Sequence, residues 1–278
     1  MSDRGSNRII RRALAVHEQL APLVVERRQL TPDEVHDLRV SVKELRALWQ
    51  VSRQFLPAGQ ADDASRSIAG AAKLLAGARD LHIQLRMLDK LQALAREEEQ
   101  AAFRRARELL LSQYQNVTEE ALMTAEMVRR LTQDRAHWQQ LELSCGRKKL
   151  IRIGYGRLYR KARKYWLRAT ESEHAEDWHR LRCWAKYLAL AIPVIGESRD
   201  AGNAVKSYSR LAEKLGELHD LDVLVASLRA LTGYEEGSAT EVITLAEQRA
   251  ASLRSWCRKK SERLFSERPG SKGGGLIL

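Results

Sequence analysis

Apolar residues return every three or four positions through most of this chain, the period of an amphipathic helix rather than the alternation of a strand. The pattern is interrupted near Arg28–Pro32, Pro57–Gln60, Arg96–Glu99, Arg135–His137, Thr170–Ala175, Ile195–Arg199 and Gly233–Ser238. These breaks leave about eight helices and predict an all-α protein with little or no sheet. Only five prolines and sixteen glycines in 278 residues agree with that reading.

The clearest helix start is Thr31-Pro32-Asp33-Glu34: Thr31 caps, proline suits the first helical position, and Glu34 completes a capping box. On the helix that follows, Arg39, Lys43 and Arg46 lie about 60°, 20° and 80° to one side of His36, so the four form one polar stripe. Val35, Leu38, Val42, Leu45 and Trp49 fill the neighbouring sector and are expected to pack inward. The same register recurs 143 positions on, as the numbering shows: His179, Arg182 and Lys186 form the stripe, with Trp178, Leu181, Ala185, Leu188 and Ile192 beside it.

The repetition extends to Leu75–His82 against Leu215–Asp222, which aligns Asp80 with Asp220, and more weakly to Arg8, Arg11 and Arg12 against Arg157, Arg160 and Lys161. Duplication is the simplest reading. The halves are expected to meet around Leu141–Gly146, giving repeats at 1–142 and 143–268, while the Pro- and Gly-containing 269–278 reads as a flexible tail.

Charge adds a partner to this picture. The formal net charge is +12, which calls for an acidic partner and by itself leaves nucleic acid, an anionic membrane and a phosphate polymer open. The run from Arg147 to Arg168 contains no acid at all. Within it Arg157, Arg160, Lys161, Lys164 and Arg168 share one helical sector opposite Leu158, Tyr159, Ala162, Tyr165 and Trp166, so the cations read as a binding face and the aromatics as core. Arginine brings paired planar donors to phosphate oxygens and lysine a mobile point charge, and neither needs a base to be present. Histidine in phase with both adds a donor whose protonation is favoured beside dense negative charge.

Other chemistry fares worse. Glu176-x-x-His179 and Asp33-x-x-His36 have the spacing of helical di-metal ligands, but the neighbouring arginines and lysines would repel a divalent cation, and acids at a helix start are the plainer reading. Asp80 and Asp220 read as structural partners of nearby cations. No phosphate-binding loop, nucleophile elbow or zinc-protease motif occurs. The three cysteines lack CxxC spacing and are expected to be buried or idle thiols. No apolar run approaches the roughly 18 residues of a spanning helix. The charged start MSDRGSNRIIRR does not read as a secretory leader, so a soluble, cytoplasmic protein without membrane insertion is expected.

Taken together, HDLRVSVKELR at 36–46, LLAGARDLHI at 74–83, the basic helix at 157–168, HRLRCWAKYL at 179–188 and KLGELHDLDVL at 214–224 resemble the CHAD family, the conserved-histidine α-helical domain. The resemblance covers almost all of the chain except its ends. It implies two four-helix bundles related by pseudo-twofold symmetry around a central basic cavity, binding of inorganic polyphosphate, and association with polyphosphate granules. The ExExK signature of the triphosphatase fused to some members is missing, so a standalone, non-enzymatic module without a cofactor is expected. The implied polyphosphate site comprises His36, Arg39, Lys43 and Arg46 with His179, Arg182 and Lys186. Arg8, Arg11, Arg12, Arg157, Arg160, Lys161 and Lys164 are further contacts. Where a family-like second copy carries Arg and then Tyr, this chain has Ala189 and Leu190, which predicts a weaker grip in that half. The competing readings are a nucleic-acid binder and a metal-dependent phosphohydrolase built on His36 and His179; the oligomeric state is left open.

Overall fold

Thr31 starts its helix as the local sequence requires. Its hydroxyl accepts from the Glu34 amide at 3.3 Å, and the Glu34 carboxylate accepts from the Thr31 amide at 2.9 Å. Arg28 donates to the same carboxylate, and these donors hold Glu34 down to about 2. From this cap the helix runs through Ser52 and buries Val35, Leu38, Val42, Leu45 and Trp49, while His36 stays exposed.

The computed structural model describes residues 4–74, 77–113, 121–143, 145–196, 199–232 and 239–267. Among them are ten helices of fourteen residues or more. The first part of the chain holds α1 (Arg4–Leu20), α2 (Pro32–Ser52), α3 (Gln60–Lys73), α4 (Gly77–Gln92), α5 (Gln100–Gln113) and α6 (Ala125–Gln140). The second holds a single turn α7 (Arg147–Lys149), a π-helical turn at Leu150–Tyr155, then α8 (Gly156–Ser172), α9 (Ala175–Ile195), α10 (Arg199–Thr232) and α11 (Thr240–Phe265). The only strands among the described residues are Gln29–Leu30 and Ala121–Leu122, an antiparallel pair that ties the two longest inter-helix connections together.

Three breaks correct the sequence reading. No break occurs at Arg135–His137, because α6 continues to Gln140 with Met127, Leu131, Asp134 and Trp138 buried along one face. Asp134 is held inside by His17 at 2.9 Å and by the Trp49 indole N–H at 2.8 Å, and Trp49 packs on Trp138. Conversely, α3 and α4 are separate helices, and so are α5 and α6, where one helix each was expected; no proline marks either boundary. The expected break at 233–238 and the tail at 269–278 lie outside the described residues, as does the side chain of Asp80.

α8, α9, α10 and α11 pack each on the next, with α11 returning to α8, and α1, α2, α3 and α6 close a second circuit in the same way. The hairpin of α4 and α5 belongs to the segment 1–142 but packs on α10 and α11. The two histidine helices, α2 and α9, lie against each other between the circuits. The π turn also meets α2, and Gly154 permits the approach: a Cβ there would stand 2.4 Å from the Val51 carbonyl oxygen.

Candidate functional site

Because α2 and α9 turn their apolar sectors into the core, their polar stripes are left facing the same opening. His36, Arg39, Lys43 and Arg46 from α2 meet His179, Arg182 and Lys186 from α9 around one cleft of about 450 Å³. α4 adds Ile83, Arg86, Met87 and Lys90, and α10 adds His219, Asp220 and Val223. Among the described side chains, Asp220 is the single carboxylate in this lining. The rest of its charge comes from Arg39, Lys43, Arg46, Arg86, Lys90, Arg182 and Lys186.

Several of these cations are held in place by the scaffold. Arg39 donates to the Ala72 carbonyl at 3.2 Å and Arg46 to the Ser65 hydroxyl at 3.3 Å, so α3 fixes both guanidinium groups. The Arg46 guanidinium also lies 5.7 Å from the centre of the Tyr187 ring, the one aromatic ring besides the histidines among the described lining residues. Arg182 rests on α10 at Gly216, where an added Cβ would meet its guanidinium at 3.2 to 3.5 Å.

The histidines are not equivalent. His36 is exposed, whereas His179 and His219 are half-buried with ring centres 4.4 Å apart. Burial first, then His219 and Arg182, push His179 down to about 4; burial and Arg182 lower His219 as well. His179 Nε2 stands 3.7 Å from Cys183 Sγ, and burial raises that thiol above its ordinary value. In the free protein this pair is neutral at pH 7. The sequence-based expectation of a favoured imidazolium therefore requires an anion in the cleft.

The remaining sequence-selected residues stand elsewhere. Arg8, Arg11 and Arg12 line a second cleft of about 810 Å³ with Glu44, Ala189, Leu190, Pro193, Val194, Val205 and Ser209, and Arg12 is paired with Glu44 at 2.5 and 2.9 Å. Arg157 is not on the open face of its helix. It is 9% exposed, donates to the carbonyl and side-chain oxygens of Gln50, and lies 5.5 Å from the centre of the Trp184 ring. Burial, Arg53 and Arg160 lower it to about 10 despite nearby Asp62. Arg160 and Lys164 are exposed and Lys161 half-exposed; Lys161 is lowered by burial and by Arg157, Lys164 and Arg53. These side chains thus make a second cationic locus beside Arg53, whose guanidinium is bonded to Asp62 at 2.7 and 2.9 Å. Arg168, the far end of the basic run, pairs with Asp177 at 3.1 Å.

Arg86, Lys90 and His219 were missed as lining residues. The repeated Leu75–His82 and Leu215–Asp222 segments offered the available signal, since His219 lies inside one copy and Arg86 and Lys90 follow the other at helical spacing. Among the described residues no group of three or more His, Cys, Asp or Glu is placed to hold a metal ion, and Glu176 is bonded instead to Arg180 at 2.7 Å. Cys145 and Cys257 are buried free thiols, and Cys183 is the one that lines the cleft. No described helix is long and apolar enough to cross a membrane. The family model of the CHAD domain matches residues 8–229. No curated protein and no solved structure gives a significant match to the chain.

Proposed function

The chain belongs to the CHAD domain family, and from that premise we propose that it binds inorganic polyphosphate, without catalysing a reaction, in the cleft shared by α2, α4, α9 and α10. One observation carries the reading: cations from four helices converge on a single opening whose described lining includes one carboxylate, Asp220. Gathering like charges in this way is unfavourable unless an external polyanion relieves the repulsion. A phosphate chain offers oxygens along its whole length, matched to the forks of Arg39, Arg46, Arg86 and Arg182 and to the point charges of Lys43, Lys90 and Lys186.

We extend the proposal to the two helix circuits, taken as pseudo-twofold-related bundles with the basic cleft between them, and to a place in the cytoplasm at polyphosphate granules. The second locus, Arg53 with Arg160, Lys161 and Lys164, is proposed to engage only chains long enough to leave the cleft. In the cleft a base would find Tyr187 for stacking, but Arg46 already covers that ring, so the lining favours a ligand without bases over a nucleic acid. The α9 stripe brings Arg182 and Lys186 to the cleft where the α2 stripe brings Arg39, Lys43 and Arg46, and this difference supports the expectation of unequal halves.

Binding measured against chain length and salt tests the reading. Affinity is expected to rise from orthophosphate to long chains and to fall steeply with salt, as phosphate polymers release counterions. Equal affinity for orthophosphate and long polyphosphate, or a strong preference for nucleic acid in competition, overturns it.

A further inference from the structure

His179 and His219 come from different helices, α9 and α10, and their imidazoles meet inside the cationic cleft at a centre-to-centre distance of 4.4 Å. One nitrogen of His179 is accounted for: Nε2 faces the Cys183 sulfur at 3.7 Å. The other, Nδ1, is buried and has no hydrogen-bond partner among the described residues. A buried ring nitrogen left without a partner is costly, so the free protein holds this ring in an unsatisfied state.

The groups facing this pair explain its state. On its own helix His179 has Arg182 and Arg180, which oppose a proton, and Glu176, which favours one but is bonded to Arg180. α10 contributes Asp220 next to His219. α2 presents His36, Arg39, Lys43 and Arg46, and α4 presents Arg86 and Lys90. The local field is therefore positive, and together with burial it keeps the pair neutral in the free protein. A bound polyanion reverses that field, and its oxygens accept from ring N–H groups.

Resting on the polyphosphate reading, we infer that His179 and His219 form a proton-accepting phosphate subsite: an entering polyphosphate chain brings one solvent proton onto the pair, and the imidazolium pair donates to a phosphate oxygen from its cleft-lining side. The proton comes from solvent or buffer, and no covalent bond is made or broken. The Nε2 hydrogen of His179 has the Cys183 sulfur as acceptor, which holds that edge of the ring while the pair carries its proton. Two imidazolium rings this close repel, which limits the uptake to one proton per pair. Phosphate binding at this subsite is then linked to pH in a way that arginine and lysine contacts are not.

The test is calorimetric titration of the full chain with long-chain polyphosphate, at fixed ionic strength, in buffers of different ionisation enthalpy between pH 5 and 7. The ligand's own end groups titrate too, so the reading is the difference between the unmodified protein and the doubly substituted His179→Gln, His219→Gln protein. Uptake by the unmodified protein is expected to exceed the variant's by close to one proton near pH 5 and by less once pH passes the raised midpoint, with its affinity advantage over the variant falling by up to about tenfold per pH unit between the free and the raised midpoints. Identical proton uptake in the two proteins overturns the inference while leaving polyphosphate binding intact. Absence of binding at every pH overturns the polyphosphate reading and this inference with it. Imidazole NMR titration of the unmodified protein needs no variant: saturation with polyphosphate is expected to move the His179 midpoint up by more than two pH units, and an unmoved midpoint counts against the subsite.

Discussion

Arg157 on α8 donates to Gln50 on α2 twice from one nitrogen, at 3.2 Å to the main-chain carbonyl and 3.0 Å to the side-chain oxygen. A cation selected from the sequence as a ligand contact is thus a strut between the basic helix and the histidine helix. Replacing it by alanine leaves the buried Gln50 acceptors unmatched and removes its contact with Trp184. Arg157→Ala is expected to lower unfolding stability by about 2 to 3 kcal/mol. Lys164→Ala, on the same helix but exposed, is expected to stay within about 0.5 kcal/mol. Urea unfolding of both variants reads the contrast, and equal losses would remove the distinction between strut and surface charge.

A second expectation concerns Gly216, in the middle of α10, where alanine normally stabilises a helix by about 0.5 to 1 kcal/mol. Here an added Cβ meets the Arg182 guanidinium at 3.2 Å, so the side chain must retreat by a few tenths of an ångström. Because Arg182 ends in the cleft, it has room to move. Gly216→Ala is expected to leave the melting temperature unchanged or raised while polyphosphate affinity falls several-fold. A lowered melting temperature would mean that Arg182 is more rigidly held than its place in the cleft indicates.

The neutral state of His179 has a consequence for acid stability in the free protein. An unfolded histidine titrates near 6.5 and the folded one near 4, so the unfolded chain binds more protons between these values. The contribution from this ring is fully present above about pH 6.5 and is lost progressively as pH falls toward about 4. His219 is lowered too and acts in the same direction. Partial exposure keeps the slope below the one-proton limit of about 1.4 kcal/mol per pH unit. In His179→Gln the loss of stability between pH 6.5 and 4 is expected to be shallower than in the unmodified protein, as measured by denaturant midpoints across that range.

The helix α2 was legible because everything that specifies it is local: the Thr31 and Glu34 box closes over three residues, and the buried and polar sectors follow the helical period. The convergence of His36 and His179 on one cleft was legible in a weaker sense, through the repeated register of their stripes. The fate of Arg157 was not, because its helical position matched that of exposed Arg160 and Lys164. Only the approach of α2, 107 residues away in sequence, turned it inward. The expected break at Arg135–His137 failed for a similar reason. That polar stretch stays helical with Asp134 turned inward, bonded by His17 and Trp49 from two distant helices. Nor does the spacing of α4 reveal that it leaves its own half to pack on α10, which is why Arg86 and Lys90 entered the cleft unannounced.

The separation of the cleft from the Arg53 locus makes the last prediction, a dependence of mutational effects on chain length. Arg39, Lys43, Arg182 and Lys186 line the cleft itself, so replacing all four with glutamine is expected to weaken short and long polyphosphate alike. By analogy with nucleic-acid backbones, the slope of log affinity against log salt is then expected to fall by roughly three. Lys161 and Lys164 belong to the other locus and are joined to the cleft through Arg157, Trp184 and Tyr187. Replacing these two with glutamine is expected to spare short chains, which fill the cleft alone, and to weaken long chains several-fold by removing the second attachment. Isotherms for a short and a long chain with both variants, each confirmed helical by circular dichroism, separate the cases. If both variants lose affinity for the short chain equally, the two loci act as one site. If the cleft variant loses nothing, the phosphate chain runs elsewhere on the molecule.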